Sequence, residues 1–160
     1  MNILAIDPAN EVSGYCIVDT DSIRIETFGI ETNAELSDIV RKTAADTVVI
    51  EMIASYGMPV GKEVFETCVW IGRFAQIAEE SGKVVEYVYR KDEKMTICHD
   101  SRAKDTNIRQ ALIDRFASHD YKNGKGTKSN PDFFYGFRRD MWAAFAVAVT
   151  WIEMKKEKSK

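Results

Sequence analysis

The chain has 160 residues, of which 45% are hydrophobic and 29% are charged, and its formal net charge is −3. This composition is typical of a soluble globular protein, and no apolar run approaches the roughly 18 residues of a membrane span. No signal-peptide pattern is present either. We therefore expect one domain over residues 1–154, a frayed basic tail over 155–160, and a cytoplasmic location.

The cysteines argue against a disulfide framework and against a zinc site. There are three, Cys16, Cys68 and Cys98, and none of them forms a CxxC pair. Disulfide-rich domains carry an even number of cysteines, and zinc sites need paired ligands at short spacing. The two histidines, His99 and His119, do not complete such a site.

The charge is distributed unevenly along the chain. Residues 1–82 contain 5 Lys and Arg against 14 Asp and Glu, a charge of −9, whereas residues 83–139 contain 13 against 8, a charge of +5. Such an asymmetry can build a phosphate-binding face on an acidic protein. It is equally consistent with an uneven solvated surface, so charge alone leaves both interpretations open.

The first part of the sequence predicts four strands and one short helix. Apolar or alternating runs indicate strands at residues 3–6, 15–18, 22–30 and 47–50, and a helix at 34–45 with Asn33 as its cap. The first and fourth strands each end at a carboxylate, Asp7 and Glu51 respectively. If these two strands lie side by side, the two carboxylates are close together.

The later part predicts a fifth strand and three longer helices. The helices are expected at residues 62–81, 104–116 and 138–154, with the strand at 84–89 and loops at 90–105 and 119–131, the latter mobile. This order favours an α/β fold with a five-stranded mixed sheet, in which a three-stranded meander is followed by strands joined through helices.

Three carboxylates stand where they could share metal ions: Asp7, Glu51 and Asp140, which opens the last helix. Mg²⁺ prefers hard oxygen ligands, and a two-metal site for phosphodiester cleavage needs several acids around ions about 3.5–4 Å apart. Each residue alone also has a structural interpretation, as a turn-forming acid or a helix-start acid. The agreement among the three positions favours a metal site.

Taken in order, these motifs resemble those of the RuvC-like Holliday junction resolvases. The resemblance covers residues 2–151 and rests on Ile6-Asp7-Pro8, Ser13-Gly14-Tyr15, Val49-Ile50-Glu51, the helix around residues 67–73, and the run from Asp140 to Val149. It implies a ribonuclease-H-like fold, with the five-stranded mixed sheet flanked by helices. The compact form and the tryptophan-bearing last helix are most similar to phage-encoded members.

The resemblance implies a Mg²⁺-dependent endodeoxyribonuclease with two ions per site, for which Mn²⁺ can substitute. Asp7 is implied to bridge both metals, with Glu51 and Asp140 as the second and third acids. The family places a fourth acid one turn after the third, where this chain has Ala143. That departure leaves a three-carboxylate site, reduced activity, or a fourth acid from elsewhere, for which Asp105 is our candidate and Asp132 a weaker one.

Basic and aromatic residues could bind DNA around this site. The family uses lysines near its site, and Lys94 and Lys104 occupy comparable places, Lys104 as a catalytic residue. Lysine suits this role as a point charge near the scissile phosphate, although both are equally explained as ordinary loop lysines. Arg138 and Arg139 extend the basic surface, and Tyr56 could stack on an unpaired base or be an ordinary tyrosine.

The leading functional hypothesis is a structure-selective endonuclease that resolves four-way DNA junctions by two symmetric cuts, which calls for a homodimer. One alternative is a less selective nuclease that cuts flaps and other branches. Another is a junction-binding protein without catalysis, consistent with Ala143. A sugar-kinase-like phosphotransferase also begins with a strand and an aspartate, but it requires far more chain than 160 residues.

Overall fold

The computed structural model describes residues 1–160 and places a five-stranded sheet between two groups of helices. The strands are β1 (Asn2–Asp7), β2 (Val12–Asp19), β3 (Arg24–Thr32), β4 (Thr47–Met52) and β5 (Val84–Tyr89). The helices are α1 (Asn33–Lys42), α2 (Lys62–Glu80), α3 (Arg90–Cys98), α4 (Asp105–Phe116) and α5 (Met141–Lys158). None of the five helices combines the length and the hydropathy that crossing a membrane would require.

The strand order in the sheet is β3-β2-β1-β4-β5, with β1 at the centre. The first three strands form an antiparallel meander, and β4 and β5 then add in parallel. Ile6 of β1 is in register with Ile50 of β4. The prediction of a mixed α/β sheet is therefore confirmed, and Asp7 and Glu51 leave the sheet from adjacent strand ends.

Alternation along β1 divides the core into two layers. Ile3 and Ala5 face the layer that contains α4 and α5, whereas Leu4 and Ile6 face the layer that contains α1 and α2. All four side chains are inaccessible to solvent. Because both faces of the sheet are covered, β1 reads as a continuous apolar run rather than an alternating one.

Helix α5 is buried over just more than three turns, from Met141 to Ile152, except at the half-buried Ala143. Its alanines allow it to lie close against β1 and β2, with which it makes most of its contacts to the sheet. The predicted helix is confirmed, but it begins three residues later, at Met141, and continues to Lys158. Residues 155–158, which we expected to be frayed, are therefore helical.

The predicted cap of α1 is wrong by one residue. Thr32, rather than Asn33, is the N-cap: its hydroxyl accepts a hydrogen bond from the Glu35 backbone N–H, and the Glu35 carboxylate accepts one from the Thr32 N–H. Asn33 is buried and bonds elsewhere. The helix also ends at Lys42, before the predicted limit of residue 45.

The prediction of a loop over residues 90–105 is wrong for its first part, which forms α3. The Tyr89 N–H donates to the Asp92 carboxylate at the start of this helix, and His99 ends it in the left-handed conformation with φ 55°. Glu93 is its only fully buried residue. A helix without an apolar stripe leaves no periodic signal, which explains why the pattern failed here.

Candidate metal and DNA-binding site

The segment that follows Asp7 is held by a small buried network. The Ala9 N–H donates to Ser13 Oγ at 3.0 Å, Ser13 Oγ donates to Asn33 Oδ1 at 2.6 Å, and Asn33 Nδ2 donates back to the Ala9 carbonyl at 2.8 Å. This closed set of bonds ties the β1–β2 turn to the start of α1. These bonds hold the backbone just after Asp7 in place.

Asp140 is brought to the same end of the sheet by the close packing of Gly14. Gly14 is in register with Asp7 in the β1–β2 ladder. A Cβ atom at position 14 would lie 2.5 Å from the Asp140 carbonyl oxygen and 2.8 Å from its Cβ, so only glycine fits. Asp140 is the N-cap of α5, but its side chain makes no capping hydrogen bond. Its carboxylate is therefore available for other ligands.

Glu93 is a fourth carboxylate in this region, and we did not select it from the sequence. Its side chain is 0% exposed. One carboxylate oxygen pairs with Arg90, three residues earlier on α3, and the other, Oε1, has no hydrogen-bond partner. A sequence signal does exist, because Asp92 and Glu93 follow the end of β5, just as Asp7 and Glu51 directly follow the apolar runs of β1 and β4. The prediction of a loop over residues 90–105 hides this signal, because it places Glu93 outside any helix or strand.

These carboxylates influence one another electrostatically. Burial raises the pKa of Asp7 to about 9, and the nearby negative charges of Glu51, Asp140 and Glu93 contribute to the shift. Burial is the main cause that raises the pKa of Glu93 to about 8, and the negative charge of Glu51 is the next. The positive charge of Arg90 opposes this shift. The site is thus short of positive charge, as expected where like-charged acids are gathered out of water.

The chemistry of this donor set fits a divalent cation. It consists of carboxylate oxygens, the ligands that Mg²⁺ and Mn²⁺ prefer, and one buried oxygen, Glu93 Oε1, has no partner. In the present side-chain positions, no three His, Cys, Asp or Glu side chains form a group that could hold an ion. Binding a cation therefore requires the carboxylates to move closer together.

Asp105 and Asp132, the two candidates for a fourth acid, pair with groups other than these carboxylates. Asp105 is 80% exposed and pairs with the second terminal nitrogen of Arg90, whose other terminal nitrogen contacts Glu93. Asp132 accepts hydrogen bonds from the backbone N–H groups of Ser118, His119 and Phe133, and these bonds lower its pKa. It anchors the segment over residues 119–131, which contains turns and a bridge between Gly126 and Pro131.

An arginine-lined cavity of about 330 Å³ lies beside Asp140. Its polar lining comprises Arg90, Arg109, Arg139, Asp105 and Asp140, and Ala143 contributes to its apolar wall. Position 143 therefore borders a predominantly basic cavity in this chain. Of the three arginines, the sequence predicts only Arg139 at the site. Arg90 and Arg109 reach the cavity through the packing of α3 and α4, which the sequence pattern does not reveal.

The remaining predicted DNA-binding residues are divided between a second cavity and the open surface. Tyr56 and Lys94 line a cavity of about 240 Å³ together with Arg90 and Lys91. Lys104 is the exposed N-cap of α4 and lines neither cavity, and Arg138 is exposed just before α5. The structure thus brings Tyr56 and Lys94 together at one cavity, which Lys104 does not line.

No protein-family model matches the sequence, and no curated protein is significantly similar to it. Solved structures do share its architecture. RuvC from Thermus thermophilus aligns with a TM-score of 0.70 and 14% identity, over 98% of this chain and 97% of that one. The same protein in complex with Holliday junction substrate aligns with a TM-score of 0.68 and 14% identity, over 98% of this chain and 96% of that one. The yeast mitochondrial Holliday junction resolvase Ydc2 aligns with a TM-score of 0.58 and 13% identity, over 98% of this chain and 80% of that one.

The chain therefore has the ribonuclease-H-like fold. Within that class its architecture is similar to those of RuvC and Ydc2, which confirms the resemblance seen in the sequence motifs. At 13–14% identity the similarity establishes the fold, and function has to be argued from the site itself.

Proposed function

We propose that this protein is a divalent-metal-dependent endonuclease that nicks branched DNA, with the four-way junction as its substrate. The observation that carries the proposal is the convergence of Asp7, Glu51 and Asp140 at one end of the sheet, where their charges act on Asp7. Two strands and one helix from distant parts of the chain supply them. Mutual repulsion of this kind costs stability and is typical of functional sites.

Asp7, Glu51 and Asp140 would hold the ions. When bound, two Mg²⁺ ions would activate a water molecule for attack on the phosphodiester and stabilise the leaving oxygen, with Mn²⁺ as a substitute. Asp7 is the central ligand because it lies between the other two acids: Glu51 follows the residue paired with Ile6, and Asp140 packs on Gly14, the ladder partner of Asp7.

The basic groups around the carboxylates would bind the DNA backbone. Arg139 lines the cavity beside Asp140 and Lys94 lines the second cavity, whereas Lys104 and Arg138 are exposed outside both, and each can pair with a phosphate. Tyr56 is exposed beside Lys94, where it could stack on an unpaired base at a branch point. Lys104, which lines neither cavity, is proposed as the catalytic lysine because of the family resemblance, and its charge would act on the scissile phosphate of bound DNA.

Two symmetric cuts require two sites, and we therefore include a homodimer in the proposal. The solvent-facing side of α2 supports it, because Phe65 and Val69 lie one turn apart and are 62% and 54% exposed. Apolar side chains of that size, adjacent on a helix, are suited to packing against the same surface of a second copy. The partner is a second molecule of this chain.

The proposal is tested with Asp7→Asn on a synthetic four-way junction, with and without Mg²⁺. We expect Mg²⁺-dependent cleavage to fall by a factor of about 10³ or more, because the central metal ligand loses its charge, while junction binding persists. The matched control is Asp38→Asn on α1, an exposed acid paired only with Arg41, which should leave cleavage unchanged. Full cleavage by the Asp7 variant would disprove the site.

A junction-binding protein without catalysis is a second candidate, favoured by Ala143 and by the absence of a preformed three-ligand group. Wild-type protein that binds junctions with a steep salt dependence, but gives no product with Mg²⁺ or Mn²⁺, would establish it. Comparing cleavage rates on four-way junction, flap and linear duplex separates a resolvase from a less selective debranching nuclease.

A further inference from the structure

We infer that Glu93, on α3, is the fourth carboxylate of the metal centre and takes the place of the acid that is missing at position 143. This inference rests on the proposed function, since it assigns one more ligand to the same site. It differs from the expectation drawn from the sequence, in which Asp105 was the candidate. The reasons are the burial of Glu93, its free oxygen and the elements that surround it.

Glu93 is a fully buried acid with only half of its hydrogen-bonding capacity used. Its side chain has no solvent exposure, Arg90 contacts one oxygen, and Oε1 has no partner. Buried carboxylates in folded proteins are normally paired and hydrogen-bonded at both oxygens, because an unsatisfied one is costly. An ion bound at the unpartnered oxygen would satisfy it.

The fold places Glu93 on the same side of the sheet as the other ligands. Helix α3 begins immediately after β5, the parallel neighbour of β4, and Glu51 is in register with Val88 near the end of β5. Glu93 therefore lies shortly after the end of β5, just as Asp7 and Glu51 lie at or next to the ends of β1 and β4, the other two parallel strands. Helix α3 also packs against α5, which carries Asp140 at its start.

The ion pair with Arg90 does not by itself account for Glu93. The guanidinium of Arg90 is shared, because its second terminal nitrogen pairs with the exposed Asp105. Arg90 is also partly exposed and lines both cavities, so it has positions outside the carboxylate group that it can occupy. When an ion binds Glu93, Arg90 can keep its pair with Asp105 and release the carboxylate.

The first experiment measures Mn²⁺ binding to metal-free protein by calorimetry and by electron paramagnetic resonance. We expect Glu93→Gln, which keeps the shape of the side chain, to weaken Mn²⁺ binding by roughly 10- to 100-fold or to remove one of the bound ions. Asp38→Asn is the control, since Asp38 is an exposed acid on α1 that pairs only with Arg41, and it should bind as wild type does. Unchanged affinity and stoichiometry in Glu93→Gln would overturn the inference.

A second experiment uses the wild-type protein and so does not depend on the folding of a variant. Fe²⁺ replaces Mg²⁺, and peroxide with ascorbate then cleaves or oxidises the chain close to the bound ion. We expect reaction around Glu93 as well as around Asp7 and Glu51. Reaction at Asp7 and Glu51 alone would overturn the assignment of Glu93 and leave the proposed function standing, whereas no reaction at any of the three would refute both.

Discussion

Gly14 is the residue that determines where Asp140 can lie. It is paired with Asp7 in the β1–β2 ladder, and the backbone of Asp140 occupies the space that any side chain at position 14 would need. A single missing Cβ thus allows the start of α5 to approach the end of β1. Gly14 therefore allows Asp140 to lie next to Asp7, and both of these acids are proposed metal ligands.

We expect Gly14→Ala to damage both the stability and the activity of the protein. The new methyl group would collide with backbone atoms, which should lower the free energy of unfolding by about 1–3 kcal/mol. Displacement of Asp140 by about 1 Å should lower metal-dependent cleavage on the order of 10²-fold. Chemical denaturation and a junction cleavage assay measure the two effects.

The control for this prediction is Gly61→Ala, just before α2, where an added Cβ would meet nothing within 4 Å. This substitution should change the free energy of unfolding by less than about 1 kcal/mol and leave cleavage unchanged, because the backbone there is extended and accepts a side chain. If the two alanine variants behave alike, the close packing of Gly14 is not what positions Asp140.

At the scale of elements, α5 is fixed to β5 by a polar clamp far from the carboxylates. Trp151 Nε1 and Lys155 Nζ each donate to the Glu86 carboxylate at 2.8 Å. Burial alone would raise the pKa of Glu86, but the hydrogen bonds from Lys155 and Trp151 outweigh it and lower the pKa. The clamp orients the later turns of α5 on the sheet, while Gly14 and Asp140 fix its beginning.

The clamp predicts a specific dependence of stability on pH. Because the folded-state pKa of Glu86 is lowered, its contribution is present above the unfolded value of about 4.3 and is lost as the pH falls through the folded value. Glu86→Gln should therefore lower the free energy of unfolding by roughly 1 kcal/mol near neutral pH, since the carboxylate is partly exposed and screened. The difference from wild type should shrink below about pH 4.

Denaturation curves at several pH values test this expectation, with Glu157→Gln as the control. Glu157 is exposed on the same helix and forms no ion pair, so its variant should track wild type throughout. A stability difference for Glu86→Gln that stays constant from neutral to acidic pH would show that the ionised carboxylate is not what holds the clamp.

The elements also show which parts of the site could be predicted from the sequence. Asp7 and Glu51 could be recognised because each directly follows a buried apolar run, and Asp140 because a long apolar helix starts just after it. Glu93 was not, because α3 has a single buried residue and hence no hydrophobic period. The arginine cavity depends on the packing of α3, α4 and α5, which no local pattern encodes.

At the scale of the whole molecule, the proposed dimer surface and the carboxylates are on different elements. The exposed face of α2 carries Phe65 and Val69, whereas the proposed metal ligands belong to β1, β4, α3 and the start of α5. None of the residues lining the arginine cavity comes from α2. Changing this surface should therefore alter assembly without altering the chemistry at a single site.

We expect the double substitution Phe65→Glu and Val69→Glu to give a monomer, because it introduces like charges at the centre of a symmetric contact. The monomer should still nick a four-way junction but should lose the paired, simultaneous cuts. Light scattering measures the mass, and a supercoiled cruciform substrate distinguishes one nick from two. Tyr121→Glu, at another exposed aromatic residue, is the control and should keep the wild-type mass.

The burial of α5 has a consequence for the newly made protein. Ile3 and Ala5 of the central strand are covered by a helix that is synthesised long after them, and the same helix brings Asp140 to Asp7. While the chain is still emerging from the ribosome, one face of the sheet is open and the carboxylate set is incomplete. Contacts so distant in sequence also form slowly. If the proposed site is correct, any nuclease activity would therefore wait until translation has passed α5.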